Sequence, residues 1–210
     1  MSPLAAARIL TTVSNTSEHT VQLFDSSKSL VESVVPFLIG GLERNENALM
    51  VATPEHRDMI ARQMGEAGWN LRNLIAANRM VVLDAAQTLD KFMRHDTPSR
   101  IAFEEMVGTL VRQLAGNGKR VWIYGEMVDV LAARGNYRGA QQLEEIWNVL
   151  GRRECFTLFC GYASGHFGDP RTAKSLAGIC AAHTHVHRKP SDILAEFLLN
   201  QQDVTPSLNR

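Results

Sequence analysis

Short apolar runs alternate with longer amphipathic segments along the whole chain. Runs rich in β-branched and aromatic residues are typical of buried strands in a parallel sheet, which is covered on both faces. Five such runs predict strands at 19–24, 47–52, 80–84, 121–124 and 155–160. Helical spacing of apolar residues, with capping residues at the ends, predicts helices at 28–43, 54–67, 71–77, 85–94, 100–115, 128–133, 140–150, 169–187 and 193–201.

This alternation of strands and helices predicts an α/β fold with three layers, in which helices flank a mostly parallel central sheet. A chain of 210 residues is the usual size of one domain with a sizeable core. We therefore expect a single domain over 18–200. The polar, weakly periodic ends predict a flexible arm at 1–17 and a flexible tail at 201–210.

Composition narrows the function classes. The 22 basic and 22 acidic residues balance, so a nucleic-acid surface is not expected. No apolar run reaches the roughly 18 residues of a membrane-spanning helix, and the first residues lack the pattern of a secretory signal. The three cysteines, Cys155, Cys160 and Cys180, are odd in number and form no CxxC pair. That usage favours a cytoplasmic protein with free thiols.

Polar residues follow several of the predicted strands. Ligands of open α/β sheets bind at the carboxyl ends of the strands, where these residues are expected. Glu126 comes directly after the apolar run that ends at Tyr124 and Gly125. We favour a helix-capping role for its carboxylate over a ligand-facing role. The complete edge is predicted to comprise Asp25, Thr53, Asp84, Glu126 and Tyr162.

The residues after the first strand resemble a phosphate-binding loop only in part. Such a loop has the form GxxxxGK[ST], because its glycines let backbone amides surround a phosphate. Here Lys28-Ser29 is present, but Gln22 and Ser27 stand where the glycines belong, and Asp25 adds a negative charge. A helix N-cap is the favoured interpretation of this segment.

Two further groups could carry chemistry. His183, His185 and His187 lie in a predicted helix, where the first and third would share one face. We favour histidines at a helix C-terminus over a zinc site, and expect neither a metal nor a cofactor. Cys160 ends a predicted strand, but without an identifiable histidine partner a buried thiol is favoured over a nucleophile.

The order of these motifs resembles the MEDS family, sensory domains named after methanogens, methylotrophs and a dichloromethane-responsive regulator. The resemblance covers about 17–188 and depends on motif order and spacing. It rests on His19 in the first strand, Phe37-Leu-Ile-Gly-Gly-Leu42, the second strand, Gly125-Glu-Met127, Glu144 and Phe159-Cys-Gly-Tyr162. It implies a RecA/KaiC-like fold with a degenerate phosphate loop, and a sensory function directed at small hydrocarbon derivatives.

Residues and resemblance together predict a non-enzymatic sensory domain that binds a small molecule at the carboxyl edge and signals through a regulatory protein, such as a kinase or a transcription or sigma-factor regulator. A homo-oligomer would be compatible with this function. The alternatives are an ATP-binding RecA-like protein with an atypical loop, and a metal-dependent enzyme that uses the three histidines. The candidate ligand-binding residues are His19, Asp25, Lys28, Tyr124, Glu126, Glu144, Cys160 and Tyr162.

Overall fold

A computed structural model describes residues 17–169 and 172–187 of the protein. Its strands are β1 (Glu18–Phe24), β2 (Asn47–Ala52), β3 (Met80–Asp84), β4 (Met93–Arg94), β5 (Thr97–Pro98), β6 (Val121–Gly125), β7 (Phe156–Ala163) and β8 (His185–His187). Its helices are α1 (Ser27–Glu43), α2 (Pro54–Glu66), α3 (Leu71–Ala76), α4 (Ala85–Phe92), α5 (Arg100–Phe103), α6 (Thr109–Leu114), α7 (Met127–Ala133), α8 (Tyr137–Gly151) and α9 (Ala173–Ala181).

Six strands form one parallel sheet in the order β3-β2-β6-β7-β1-β8. The strands β4 and β5 form a separate antiparallel ribbon. Helices cover both faces of the sheet, which confirms the predicted three-layer α/β fold. Among the described residues, no helix has the length and apolar character needed to cross a membrane.

The two faces of the sheet bury separate cores because successive strand residues point in opposite directions. One face packs against α1, α2 and α3, and its core includes Tyr124 and Phe159. The other face packs against the helices from α4 onward, and its core includes Leu158, Cys160 and Tyr162. Cys160 and Tyr162 therefore lie on the opposite side of the sheet from Tyr124.

Most predicted elements are present. The predicted helix over 100–115 is divided by a π-helical turn at Glu104–Gly108 between α5 and α6. The predicted helix over 85–94 is too long, because Met93–Arg94 leave α4 to pair with Thr97–Pro98. The predicted arm at 1–17, apart from residue 17, the predicted helix at 193–201 and the predicted tail at 201–210 fall outside the described residues.

Three predictions in the second half of the chain are wrong. The helix predicted to begin at residue 140 begins at Tyr137, because Asn136 Oδ1 accepts from the Gly139 N–H at 2.8 Å and caps the helix. The strand predicted to end at Cys160 continues to Ala163. The helix predicted to run to His187 ends at Ala181, and the residues that follow pair with β1 as β8.

Candidate functional site

Six of the eight candidate residues are buried in two groups on opposite faces of the sheet. The first group, called the Glu126 cluster, lies at the carboxyl end of β6 against α1 and α2. The second group, called the Glu144 cluster, lies between the sheet and helices α8 and α9. The Glu126 cluster comprises Thr53, His56, Tyr124 and Glu126, and the Glu144 cluster comprises His19, Glu144, Cys160, Tyr162 and His183.

Glu126 is completely buried, and each of its oxygens accepts a hydrogen bond. Oε1 accepts from His56 Nδ1 at 2.8 Å and from the Tyr124 hydroxyl. Oε2 accepts from the backbone N–H of Thr53 at 2.8 Å, just before α2 begins. Its side chain does not cap the helix α7 that follows it. The predicted capping role of Glu126 is therefore wrong, because the carboxylate turns toward the neighbouring strand end and α2.

His56 connects this buried carboxylate to the surface. Its Nδ1 donates to Glu126, and its Nε2 lies 3.0 Å from the hydroxyl of Ser27, which is half-buried at the start of α1. Burial lowers the pKa of His56, but the hydrogen bond and charge of Glu126 outweigh it and raise the pKa overall. Burial also raises the pKa of Tyr124 well above its usual value, so the hydroxyl stays protonated and donates.

The raised pKa of His56 predicts a pH dependence of stability. A group whose folded-state pKa is raised contributes stability below its unfolded pKa of about 6.5, and that contribution is lost as pH rises through the folded value. Besides Glu126, the carboxylates of Glu55 and Asp129 raise this pKa. We therefore expect the stability difference between wild type and a His56→Gln variant to shrink as pH rises above about 6.5.

Urea unfolding of both proteins between about pH 5.5 and about pH 8.5 measures this difference. The difference in unfolding free energy between the two proteins removes the contribution of every histidine that both chains contain. His185→Gln is the matched control because His185 is exposed on β8. A difference between wild type and His56→Gln that does not change with pH would contradict the prediction.

Glu144, on α8, is the centre of the second cluster and is also completely buried. Its Oε2 lies 3.1 Å from His19 Nε2 and 3.5 Å from Cys160 Sγ. Its Oε1 accepts from the Tyr162 hydroxyl at 2.7 Å and lies 3.4 Å from His183 Nε2. The side chain of His183 is fully buried. The ring centroids of His183 and His19 are 4.0 Å apart.

The charges within this cluster shift one another's pKa. Burial raises the pKa of Glu144, but His183 and His19 lower it more. The net result is a pKa well below the usual value for a glutamate, so the carboxyl group is ionised. Burial lowers the pKa of His183, and the charge of Glu144 overcomes that effect and raises it. Burial and the same carboxylate raise the pKa of Cys160 and of Tyr162. Without another cation, the thiol and the phenol remain protonated.

Asp25 and Lys28 belong to neither cluster. Asp25 is exposed, and its Oδ1 accepts from the hydroxyl of Ser164 at 2.6 Å. Lys28 is exposed on α1 and lines an open cleft of about 220 Å³ between α1 and α2, together with Val31, Met59 and Arg62. Only Asp25 and Ser26 separate β1 from α1, and the Ser26 side chain caps the helix by accepting from the Ser29 N–H.

Two histidines of these clusters, His56 and His183, are absent from the candidate ligand-binding residues. No sequence pattern links His56 to either cluster; it stands two residues after the proline that starts α2. The predicted helix groups His183 with His185 and His187, but α9 ends at Ala181, and His185 and His187 belong to β8 whereas His183 precedes it. The i, i+4 spacing of Glu144 and Asn148 on α8 was a usable signal, because it places Asn148 beside the cluster.

Comparison with known proteins places this chain among sensory domains. The profile of the family described as MEDS, the methanogen/methylotroph, DcmR sensory domain, matches residues 18–184. The UPF0273 protein PF1931 of Pyrococcus furiosus is 24% identical to this chain over 153 residues, which cover 68% of this chain and 60% of that protein.

A solved structure shows a weaker likeness. The crystal structure of the KaiC-like protein PH0186 from Pyrococcus horikoshii matches 72% of this chain with 17% identity and a TM-score of 0.47. The match covers 64% of that chain. This chain therefore spans less than two thirds of the length of each of these two relatives.

Proposed function

The chain belongs to the MEDS family of sensory domains, and on that basis we propose that it is a non-enzymatic sensory domain that binds a small molecule at the carboxyl edge of its sheet. The observation that carries the proposal is the connection from buried Glu126 through His56 to the Ser27 hydroxyl at the surface. A ligand that hydrogen-bonds to Ser27 would change the partner of His56, and so would alter the Glu126 cluster.

The surroundings of Ser27 suit a compound with a small apolar body and one polar group. The cleft between α1 and α2 begins at Lys28, the next residue. Val31 and Met59 supply its apolar wall, and the charged or polar residues Glu32, Arg62, Gln63 and Glu66 line the rest. Small-molecule sites combine apolar walls with a few placed polar groups in this way. A small hydrocarbon derivative bearing a halogen or an oxygen matches this description.

The connection between β1 and α1 supports a sensory rather than a nucleotide-hydrolysing function. A phosphate loop needs several residues whose backbone amides are free to surround the phosphate. Here the connection has two residues, and Ser26 already accepts from the amide of Ser29. We therefore propose that this loop no longer binds nucleotide phosphates.

Calorimetric titration of the full chain tests the proposed ligand class. We expect a halogenated or one-carbon compound to bind and ATP not to bind. Ser27→Ala should weaken that binding about tenfold, the effect of roughly one hydrogen bond. Ser33→Ala is the matched control, because Ser33 lies on the same helix and its hydroxyl donates to the Ser29 carbonyl within that helix.

Two outcomes would contradict the proposal. One is that no compound of this class binds. The other is that ATP binds and Lys28→Ala abolishes its binding, which would favour a nucleotide-binding protein in place of a sensor.

We further propose that the domain signals through a regulatory protein partner. Signalling requires the ligand to bind one conformation better than another, so its effect must extend beyond the residues it contacts. Hydrogen exchange with and without the ligand should show altered protection in α7 or α8 as well as in α1 and α2. Changes restricted to the ligand's own contacts would argue against signalling.

A further inference from the structure

Four side chains that bind transition metals converge in the Glu144 cluster. One nitrogen, oxygen or sulfur atom from each of His19, Glu144, Cys160 and His183 lies within 4.8 Å of the others. All four side chains are buried, and they come from β1, α8, β7 and the segment between α9 and β8. This set is separate from the Glu126 cluster, which lies on the other face of the sheet.

We propose that His19, Glu144, Cys160 and His183 form a binding site for a divalent transition-metal ion of the zinc class. This inference does not depend on the small-molecule site proposed above, and it replaces the sequence-based expectation of no metal. Four features of the cluster support it: the spacing of the atoms, the orientation of the imidazoles, the shortage of hydrogen-bond donors and the balance of charge.

The spacing fits a tetrahedral ion. Zinc bonds of about 2.0–2.3 Å place neighbouring tetrahedral ligands about 3.3–3.7 Å apart. His19 Nε2 lies 3.1 Å from Glu144 Oε2 and 3.3 Å from Cys160 Sγ. Cys160 Sγ lies 3.5 Å from the same Oε2, and His183 Nε2 lies 3.4 Å from the other carboxylate oxygen, Oε1. Every pair of the four ligand atoms lies within 4.8 Å, so modest movements of the side chains would bring them around one ion.

Hydrogen bonds outside the cluster orient both imidazoles as metal ligands. Asn148 Nδ2 donates to the Ala182 carbonyl at 2.8 Å, which directs its Oδ1 toward His19 Nδ1 at 2.9 Å. His183 Nδ1 donates to the Ile179 carbonyl at 2.7 Å. Both rings therefore hold a proton on Nδ1 and direct Nε2 inward, the arrangement common to metal-bound histidines.

The inward-facing atoms are short of hydrogen-bond donors. Without an extra proton, each Nε2 presents a lone pair toward the acceptor oxygens of Glu144. His183 Nε2 is buried and makes no hydrogen bond within the described part of the chain. A metal ion would satisfy both nitrogens and the carboxylate at once, whereas no side chain of the cluster can donate to all of them.

A divalent ion also balances the buried charge. Two neutral imidazoles, one carboxylate and one thiolate carry two negative charges, which a divalent cation cancels. Without the metal, the cluster buries the carboxylate of Glu144 with protonated histidine, and burial of any charge left over is costly. Metal binding would release the thiol proton of Cys160 and any proton held on either Nε2.

The ligand set explains which metal suits the site. Two imidazoles, a thiolate and a carboxylate oxygen match the borderline preference of Zn²⁺. Four protein ligands close the coordination shell, which is typical of a structural site and not of a catalytic one. The Tyr162 hydroxyl would hold the second oxygen of Glu144 and fix the carboxylate. Such an ion would tie the α9–β8 segment to the rest of the sheet.

Titration of the full chain with Co²⁺ tests this proposal directly. Protein first treated with a chelator should bind one Co²⁺ or Zn²⁺ per chain. The cobalt form should show the visible bands of tetrahedral Co²⁺ and a near-ultraviolet thiolate-to-cobalt band, which report a sulfur ligand. This measurement uses the wild-type protein and so does not depend on whether any variant folds.

Variants then identify the sulfur and the orienting residue. Cys160→Ser should abolish the thiolate band and weaken Zn²⁺ binding by more than about 100-fold. Cys155→Ser is the matched control, because Cys155 is half-buried outside the cluster. This variant should retain the thiolate band and the wild-type affinity for Zn²⁺. Asn148→Ala should weaken binding by about 10–100-fold without loss of the band, since Asn148 acts only through His19.

Circular dichroism confirms that each variant is folded before its affinity is compared. The proposal is overturned if the wild-type chain binds no metal, or binds Co²⁺ without a thiolate band. It is equally overturned if a folded Cys160→Ser variant binds Zn²⁺ as tightly as wild type, or if Cys155→Ser removes the band.

Discussion

Replacement of Glu126 by alanine is expected to lower the free energy of unfolding by about 3–5 kcal/mol, the usual effect of leaving a buried charged partner without its counterpart. The carboxylate accepts from three donors: the Thr53 N–H, His56 Nδ1 and the Tyr124 hydroxyl. Alanine would leave all three donors without this acceptor, two of them on buried side chains, and would deprive His56 of the charge that raises its pKa. Denaturant unfolding near pH 6 measures the loss.

A second variant at Glu126 separates the effect of its charge from the effect of its size, and a variant at Glu55 serves as the control. Glu126→Gln keeps the size and one acceptor oxygen, so its loss of stability should lie between wild type and alanine. Glu55→Ala is the control: Glu55 is an exposed carboxylate one residue before His56, and its removal should cost less than about 1 kcal/mol. Equal effects of Glu126→Ala and Glu55→Ala would show that the buried hydrogen bonds do not stabilise the fold.

The second large effect is expected at Gly41 on α1. A Cβ at this position would lie 2.3 Å from Cγ of Trp122, closer than atoms can approach. The indole cannot move away freely, since its Nε1 donates to Glu46 at 2.5 Å and its ring packs against Phe37. Gly41→Ala should therefore destabilise the protein by about 1–3 kcal/mol through overpacking, measured as a lower Tm or denaturant midpoint.

The adjacent glycine supplies the comparison. At Gly40 the nearest atom to an added Cβ would be the flexible Arg44 side chain, 3.5 Å away. Because alanine favours the helix, Gly40→Ala should stabilise the protein by about 0.5–1 kcal/mol. If the two substitutions change stability in the same direction, contact between α1 and Trp122 does not determine the outcome at Gly41.

The layer architecture could be predicted from the sequence because the strands that form the middle of the sheet are continuous apolar runs. The predicted bounds at Asn47–Ala52 match β2 residue for residue, and those at 121–124 end one residue before the end of β6. A strand that is buried on both faces needs apolar side chains at nearly every position, so it forms a continuous apolar run that is easy to recognise in the sequence. The family resemblance is confirmed by the match over 18–184.

The edge strand β8 could not be predicted in the same way. Its residues, His185–His187, alternate polar and apolar over only three positions and gain their conformation from pairing with Thr20–Gln22. That pairing joins segments more than 160 residues apart, so no local pattern reports it. Tertiary context outweighed the helical spacing that the three histidines display.

The candidate site was predicted as one group but is two. The residues named from the sequence include the centres of both clusters, Glu126 and Glu144. Their separation follows from the alternation of side chains along β7, where Cys160 and Tyr162 face α8 and Phe159 faces α1. Their partners His56 and His183 required knowledge of which strands and helices are neighbours, which the sequence does not report.

The strand order also determines when the protein can assemble during its synthesis. Both neighbours of β1 are the last two strands of the sheet, β7 and β8. The nascent chain can pair β2, β3 and β6 as soon as they leave the ribosome, whereas β1 must wait without a partner until residues 156–187 follow. An unpaired strand with apolar residues is prone to aggregation, so we expect β1, the first strand of this sheet to be synthesised, to need a chaperone more than the other strands do.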